Sequence, residues 1–108
     1  MADYLLIESR DPFEFASVNS FLRIAVDLKK AGNSVTLFLV QNGVLPSREG
    51  ARADELAAVA ASGVAVLADE FSLKERAIPQ NELVNGIKPS AIDIIIDKLA
   101  SGSKAIWH

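Results

Sequence analysis

A three-layer α/β/α sandwich on a mainly parallel sheet of four or five strands, of the flavodoxin or Rossmann kind, is the fold class that this 108-residue sequence predicts. Three observations predict it. Ser34 to Val44 reads SVTLFLVQNGV, a near-continuous apolar run that stops at Asn42-Gly43, as a strand buried on both faces of a parallel sheet does. Short apolar runs alternate with segments of helical periodicity along the chain, the pattern of successive βα units. Half of the residues are apolar but only 6% are aromatic, and Ala, Val, Leu and Ile suit helices layered on a sheet better than an all-β sandwich.

Tyr4 to Ile7 reads as the first strand, followed by the polar Glu8-Ser9-Arg10. Asp11 is placed as an N-cap and Pro12 as the first helical residue, with Glu14 near the positive end of the dipole. The helix is expected to run to about Ala31. Its apolar side is Phe15, Val18, Leu22, Ala25 and Val26, widened by Phe21, Ile24 and Leu28. Lys29 and Lys30 oppose the dipole's negative end, and Gly32 stands where a left-handed C-cap is needed. Ser34 to Val40 is the second strand. Ser47 to Ala53 is polar and contains Gly50, so a mobile loop is expected. Asp54 to Ala61 is alanine-rich and helix-favouring, and Val64 to Leu67 is the third strand. Asp69 to Arg76 fits a short amphipathic helix, and Leu83-Val84 a short fourth strand. Ser90 is read as the N-cap of a last helix, with Asp93 in a capping-box position and Ile92, Ile95, Ile96 and Leu99 as its apolar stripe. Ala105 to Trp107 is a final strand. Strand order is not legible in this pattern.

Composition removes several function classes. Eleven basic against fourteen acidic residues give a net charge of −3, so no broad positive field gathers nucleic acid or an anionic membrane. The chain has no cysteine, which excludes disulfides, thiolate nucleophiles, iron–sulfur clusters and zinc–thiolate sites. The start of the chain carries no signal-peptide pattern, and no apolar run approaches the roughly 20 residues that cross a bilayer. A soluble, cytoplasmic protein is the expectation. No Walker loop or dinucleotide fingerprint occurs, and neither a cofactor nor a metal is expected. The one histidine, His108, ends the sequence and is expected to be mobile, which leaves a catalytic triad or a histidine metal site without support.

An ordered set of segments points further. Gly32-Asn33-Ser34-Val35-Thr36-Leu37-Phe38 enters the second strand and Asn42-Gly43-Val44 leaves it. Ser62-Gly63-Val64 enters the third strand, and Leu73 to Ile78 follows, with Ala77 where glycine is usual. In these segments the chain resembles the DsrE/DsrF/TusD-like family of small sulfur-relay proteins, and the resemblance spans residues 1–108 as a single domain. It implies a cytoplasmic protein that works in an oligomer, either of itself or with a cysteine-bearing relative. In competent relatives a cysteine just after the third strand carries sulfur as a persulfide. Here that neighbourhood reads Val66-Leu67-Ala68-Asp69-Glu70-Phe71-Ser72, without a thiol, so this chain does not carry persulfide.

The resemblance implies a pocket at the carboxyl ends of the strands, which in this chain would bring together Ser9, Arg10, Asn42, Gly43, Ala68, Asp69, Glu70, Ser72 and Arg76. Arg10 and Arg76 together suit an anion or a partner's carboxylate; alternatively each is solvated or paired with Glu8, Asp69 or Glu70. Asn42-Gly43 either aims backbone N–H groups at a ligand or satisfies a turn needing positive φ. Asp69 and Glu70 form either an acid/base pair or a solvated helix start. Trp107 marks an oligomer contact or packs over the sheet edge, and Val44, Leu45 and Phe71 are candidate exposed interface residues. The leading expectation is a non-catalytic interaction or scaffold subunit. The alternative is a small-molecule or anion-binding module near Asn42, Ser72 and Arg76, and a third reading is an enzyme using Asp69 or Glu70.

Overall fold

The computed structural model describes residues 1–50 and 53–108. Asp3–Glu8 (β1), Ser34–Leu39 (β2), Ala65–Asp69 (β3), Ile87–Ser90 (β4) and Lys104–Trp107 (β5) form one sheet in the order β4-β3-β2-β1-β5, with every neighbouring pair parallel. Ser17–Lys30 (α1), Ala53–Ala61 (α2), Glu70–Glu75 (α3) and Asp93–Ala100 (α4) lie in the connections, with 3-10 turns at Gln41–Ser47 and Gln80–Glu82. β2 is the middle strand of five. Its position explains why its apolar run is continuous, because residues 35–39 are buried whichever face they point to.

The order fixes the layers. The first three connections step across the sheet in one direction, so right-handed crossovers put them on one face; the last returns past β1 and must use the other. The packing agrees. Leu6, Leu37, Leu39 and Val66 join Val18, Phe21, Leu22 and Ala25 of α1, Leu56 and Val59 of α2, and Leu73 of α3 in one core. α4 alone forms the third layer, where Ile92 and Ile95 meet Ile7, Val40 and Trp107 around a depression of about 280 Å³.

Local chemistry sets the helix ends. Asp11 is buried and does cap, since its Oδ1 accepts from Glu14 N–H at 2.9 Å. The turn it caps is a separate one, and the helix itself begins only at Ser17 with no side-chain cap. Phe15 and Ile24 are consequently exposed rather than part of the core. At the other end Asn33 N–H donates to Leu28 C=O across Gly32, whose φ of 95° supplies the left-handed step.

Two expectations near the C-terminal half are corrected. The fourth strand is Ile87–Ser90 rather than Leu83-Val84; Leu83 makes only an isolated antiparallel bridge with Arg48. Ser90 therefore closes a strand, and α4 starts at Asp93 with no side-chain cap. Pro89 is tolerated there because β4 is an edge strand, so its missing N–H costs no ladder bond. In the expected loop after residue 47, residues 51 and 52 lie outside the described residues.

The apolar stripe of α4 is also corrected. Ile94 and Ile95 are half-buried, whereas Ile92, Ile96 and Leu99 are exposed, and no residue of α4 is fully buried. The helix is thus apolar on both sides. Its carboxyl end is tied to the sheet through Asp3: Ser103 Oγ–H donates to Asp3 Oδ2, and Lys98 Nζ lies 3.5 Å from the same oxygen. The Ser103 hydrogen bond, and after it the Lys98 charge, hold the Asp3 carboxyl below its ordinary value despite the opposing effect of desolvation. No helix among the described residues is long and apolar enough to cross a membrane.

Candidate functional site

The loops that follow β1, β2 and β3 meet at the carboxyl edge of the sheet, and the anticipated residues fall there into two clusters. One surrounds the start of α3. Asp69 ends β3 in extended conformation and caps α3, its Oδ2 accepting from Ser72 N–H at 3.0 Å and from Ser72 Oγ–H at 2.7 Å. Ser72 Oγ in turn accepts from Gln41 N–H at 2.8 Å. Gln41 needs that anchor, because its φ of 54° is a left-handed conformation that only glycine adopts without strain. Arg76 completes the cluster, donating from Nε to Asn42 Oδ1 and from Nη1 to the Ser72 carbonyl, each at 3.2 Å, with Glu75 at 3.7 Å.

This arrangement ties the loop after β2 to the start of α3. The Ser72 hydroxyl is buried, 3% exposed, and it both donates and accepts. Asp69 is buried and caps α3, whereas Glu70 is exposed with a long contact from Gln80 at 3.4 Å, so the two carboxylates sit in different surroundings. Asn42-Gly43 is not a positive-φ turn: the left-handed residue is Gln41. Glycine at 43 answers a close approach instead, since a Cβ there would lie 2.1 Å from the Glu8 carbonyl oxygen. Ala68 is buried in the main core.

The second cluster sits where β1 and β5 end side by side. Ser9 and Arg10 belong here, with Trp107 and His108, around a depression of about 310 Å³. Arg10 is not joined to Arg76; its guanidinium lies 5.4 Å from the Phe15 ring centroid. Ser9 Oγ accepts from Trp107 Nε1–H at 3.1 Å and donates to the His108 carbonyl at 3.3 Å.

His108 overturns the expectation that it is mobile. Its N–H donates to Ile7 C=O, its ring stacks on Phe21 with centroids 5.0 Å apart, and its Nδ1 lies 2.7 Å from Glu8 Oε2. The Glu8 side chain is 1% exposed, and its other oxygen accepts from Arg10 N–H at 2.9 Å. Neither Glu8 nor His108 was anticipated as a site residue. The available signal was a carboxylate closing a buried strand, which must find a partner.

Val44 is fully buried and Leu45 half-buried, so of the anticipated loop contacts only Phe71 is exposed. A further depression, about 530 Å³, lies between α1 and α2 and is lined by Leu22, Val26, Val59 and charged side chains, away from the strand ends. No group of three or more His, Cys, Asp or Glu side chains among the described residues is placed to hold a metal ion.

Neither a protein-family model nor a curated protein matches the sequence. Solved structures do match its fold. The YchN protein from E. coli superposes with a TM-score of 0.85 at 19% identity, covering 100% of both chains. The protein of unknown function MTH1491 from Methanobacterium thermoautotrophicum gives 0.78 at 17% identity over 99% of this chain and 98% of its own. The conserved protein of unknown function BT1422 from Bacteroides thetaiotaomicron gives 0.81 at 18% identity over 98% and 94%. At these identities the likeness establishes a shared small α/β fold over the whole chain.

Proposed function

We propose that this chain is a cytoplasmic, non-catalytic interaction subunit of a sulfur-relay assembly, which docks a like-folded, cysteine-bearing partner on its α4–β5 face. The observation that carries the reading is the outer side of α4. Ile96 and Leu99 are exposed, and Trp107, on the face of the sheet that α4 covers, is 72% exposed. A helix apolar on both sides normally lies between two layers, and contiguous exposed apolar surface of this kind marks an interaction site.

Chemistry assigns the division of labour. Sulfane sulfur is held by a thiolate, and this chain has none. The cluster at Asp69, Ser72 and Arg76 holds Gln41, which lines the depression beneath Ile92 and Trp107. The sulfur relay rests on the sequence resemblance, whereas the docking reading rests on the exposed apolar residues of α4.

Isolation of the native assembly from source cells, followed by intact-mass analysis of its subunits, tests both parts. A like-sized partner bearing one extra sulfur atom on a cysteine is expected, with this chain unmodified. A homo-oligomer without any thiol-bearing subunit keeps the docking face and removes the sulfur relay. A monomer removes both.

A further inference from the structure

We propose that Asn85 is a site of spontaneous deamidation, at which this chain acquires an aspartate or isoaspartate that loosens the entry to β4. The site does not rest on the docking reading.

Two Asn-Gly pairs occur in the sequence, Asn42-Gly43 and Asn85-Gly86. A glycine after asparagine puts no side chain in the way of its own backbone nitrogen and leaves the peptide free to turn. That nitrogen, on losing its proton, attacks the asparagine Cγ. The new N–Cγ bond closes a succinimide ring, the bond from Cγ to the side-chain nitrogen breaks, and ammonia leaves with the proton. Water then opens the ring. Cleavage of the bond to Cγ leaves aspartate, whereas cleavage at the main-chain carbonyl carbon leaves isoaspartate, whose main chain runs through the former side chain.

The fold treats the two pairs differently. At the first, Gly43 is buried and its N–H donates to the Val40 carbonyl at 3.0 Å, while Asn42 Oδ1 accepts from Arg76 Nε at 3.2 Å. The Glu8 carbonyl oxygen lies close against Gly43, so the peptide between residues 42 and 43 has little room to swing. The attacking nitrogen and the attacked amide are both held. At the second, Asn85 and Gly86 are exposed, and neither the Asn85 side chain nor the Gly86 N–H has a hydrogen-bond partner among the described residues. They are the two central residues of a turn that Ile87 N–H closes on the Val84 carbonyl at 3.1 Å, with Gly86 at a φ of 98°. Exposed turns open locally at small cost in free energy.

The position gives the reaction a structural consequence. Val84 and Ile87 flank the pair and are both buried in the main core, and Ile87 is the first residue of β4. Isoaspartate at 85 adds a carbon to the main chain between them, which pulls the Ile87 N–H away from its acceptor.

The purified protein is held at mildly alkaline pH and physiological temperature, and peptide mapping by mass spectrometry follows the conversion of amide to acid at each asparagine. In the folded protein Asn85 should convert at least tenfold faster than Asn42. In denaturant each pair is followed by a β-branched residue, Val44 or Ile87, and the two rates should agree within about threefold because no fold restrains either. The Ile87 amide should exchange its hydrogen faster in the aged wild type than in the fresh one, and Asn85→Ala aged in the same way should keep the fresh rate. Equal rates in the folded protein, faster conversion at Asn42 or no conversion at Asn85 would overturn the site. Unchanged Ile87 exchange in the aged wild type, or equal acceleration in Asn85→Ala, would overturn its effect on β4. The comparison of the two asparagines uses the wild type alone and stands even if Asn85→Ala does not fold.

Discussion

Two rows of side chains cross this sheet one residue apart, and they end differently. Ile106, Leu6, Leu37, Val66 and Ile87 form the row under α1 and α2, and all of them but Ile106 are buried. Trp107, Ile7, Phe38, Leu67 and Lys88 form the next row, on the opposite face. There only Phe38 is fully buried, Ile7 and Leu67 are half-covered, and Trp107 stands in solvent. The alternation of a pleated strand sends the two rows to opposite faces, and apart from Lys88 both are apolar. Three helices cover the first face, and the second has only eight-residue α4, itself apolar on the outside. The helices of the chain cover one face fully and the other only in part.

That contrast is broken most strongly in the covered row. Leu37→Ala should cost about 2–5 kcal/mol, since the cavity forms between layers that cannot collapse, seen as a lower denaturant midpoint with an unchanged slope. Ile96→Ala, measured where the chain is monomeric, should stay within about 0.5 kcal/mol. Comparable losses from the two would erase the distinction between the faces.

Next in size is Gly43→Ala. The new Cβ would meet the Glu8 carbonyl oxygen, a backbone atom with no rotamer to escape into, so a loss of about 1–3 kcal/mol is expected. Ser72→Ala should cost about 1 kcal/mol. It leaves the Gln41 N–H without its acceptor, and faster hydrogen exchange at that amide would be the specific sign. An unchanged Gln41 amide would mean that the loop is not held through Ser72.

The smallest effect is expected at Asp3, where α4 is tied to the sheet and the carboxylate is partly solvated. A carboxyl held below its unfolded-state value contributes stability that is fully present above that unfolded value. It loses that contribution as the pH falls through the folded one. The wild type should therefore lose its small advantage over Asp3→Asn on acidification, and parallel acid unfolding curves would contradict the tether.

The sequence announced what is local. The run at β2, the Gly32 C-cap and the Asp69 start of α3 are each written within a few neighbouring residues. The fourth strand was misplaced because Lys88-Pro89-Ser90 carries helix-start chemistry, and only its position on the sheet edge makes it a strand. The α4 stripe was legible as apolar but not as outward-facing, since periodicity shows that a helix is amphipathic without showing which layer covers it. His108 and Glu8 are 100 positions apart, and only the parallel pairing of β1 with β5 brings them together. The candidate site was half legible for the same reason: the loops after β2 and β3 were named, and the partner strand of β1 was not.

Native mass spectrometry of the wild type and Ile96→Glu, each isolated from source cells, tests the central claim most directly. The wild type should appear in an assembly with a like-sized, cysteine-bearing chain, and Ile96→Glu, with a charge on the outer side of α4, should appear alone and folded. A monomeric wild type, or an assembly that Ile96→Glu leaves intact, would contradict the account.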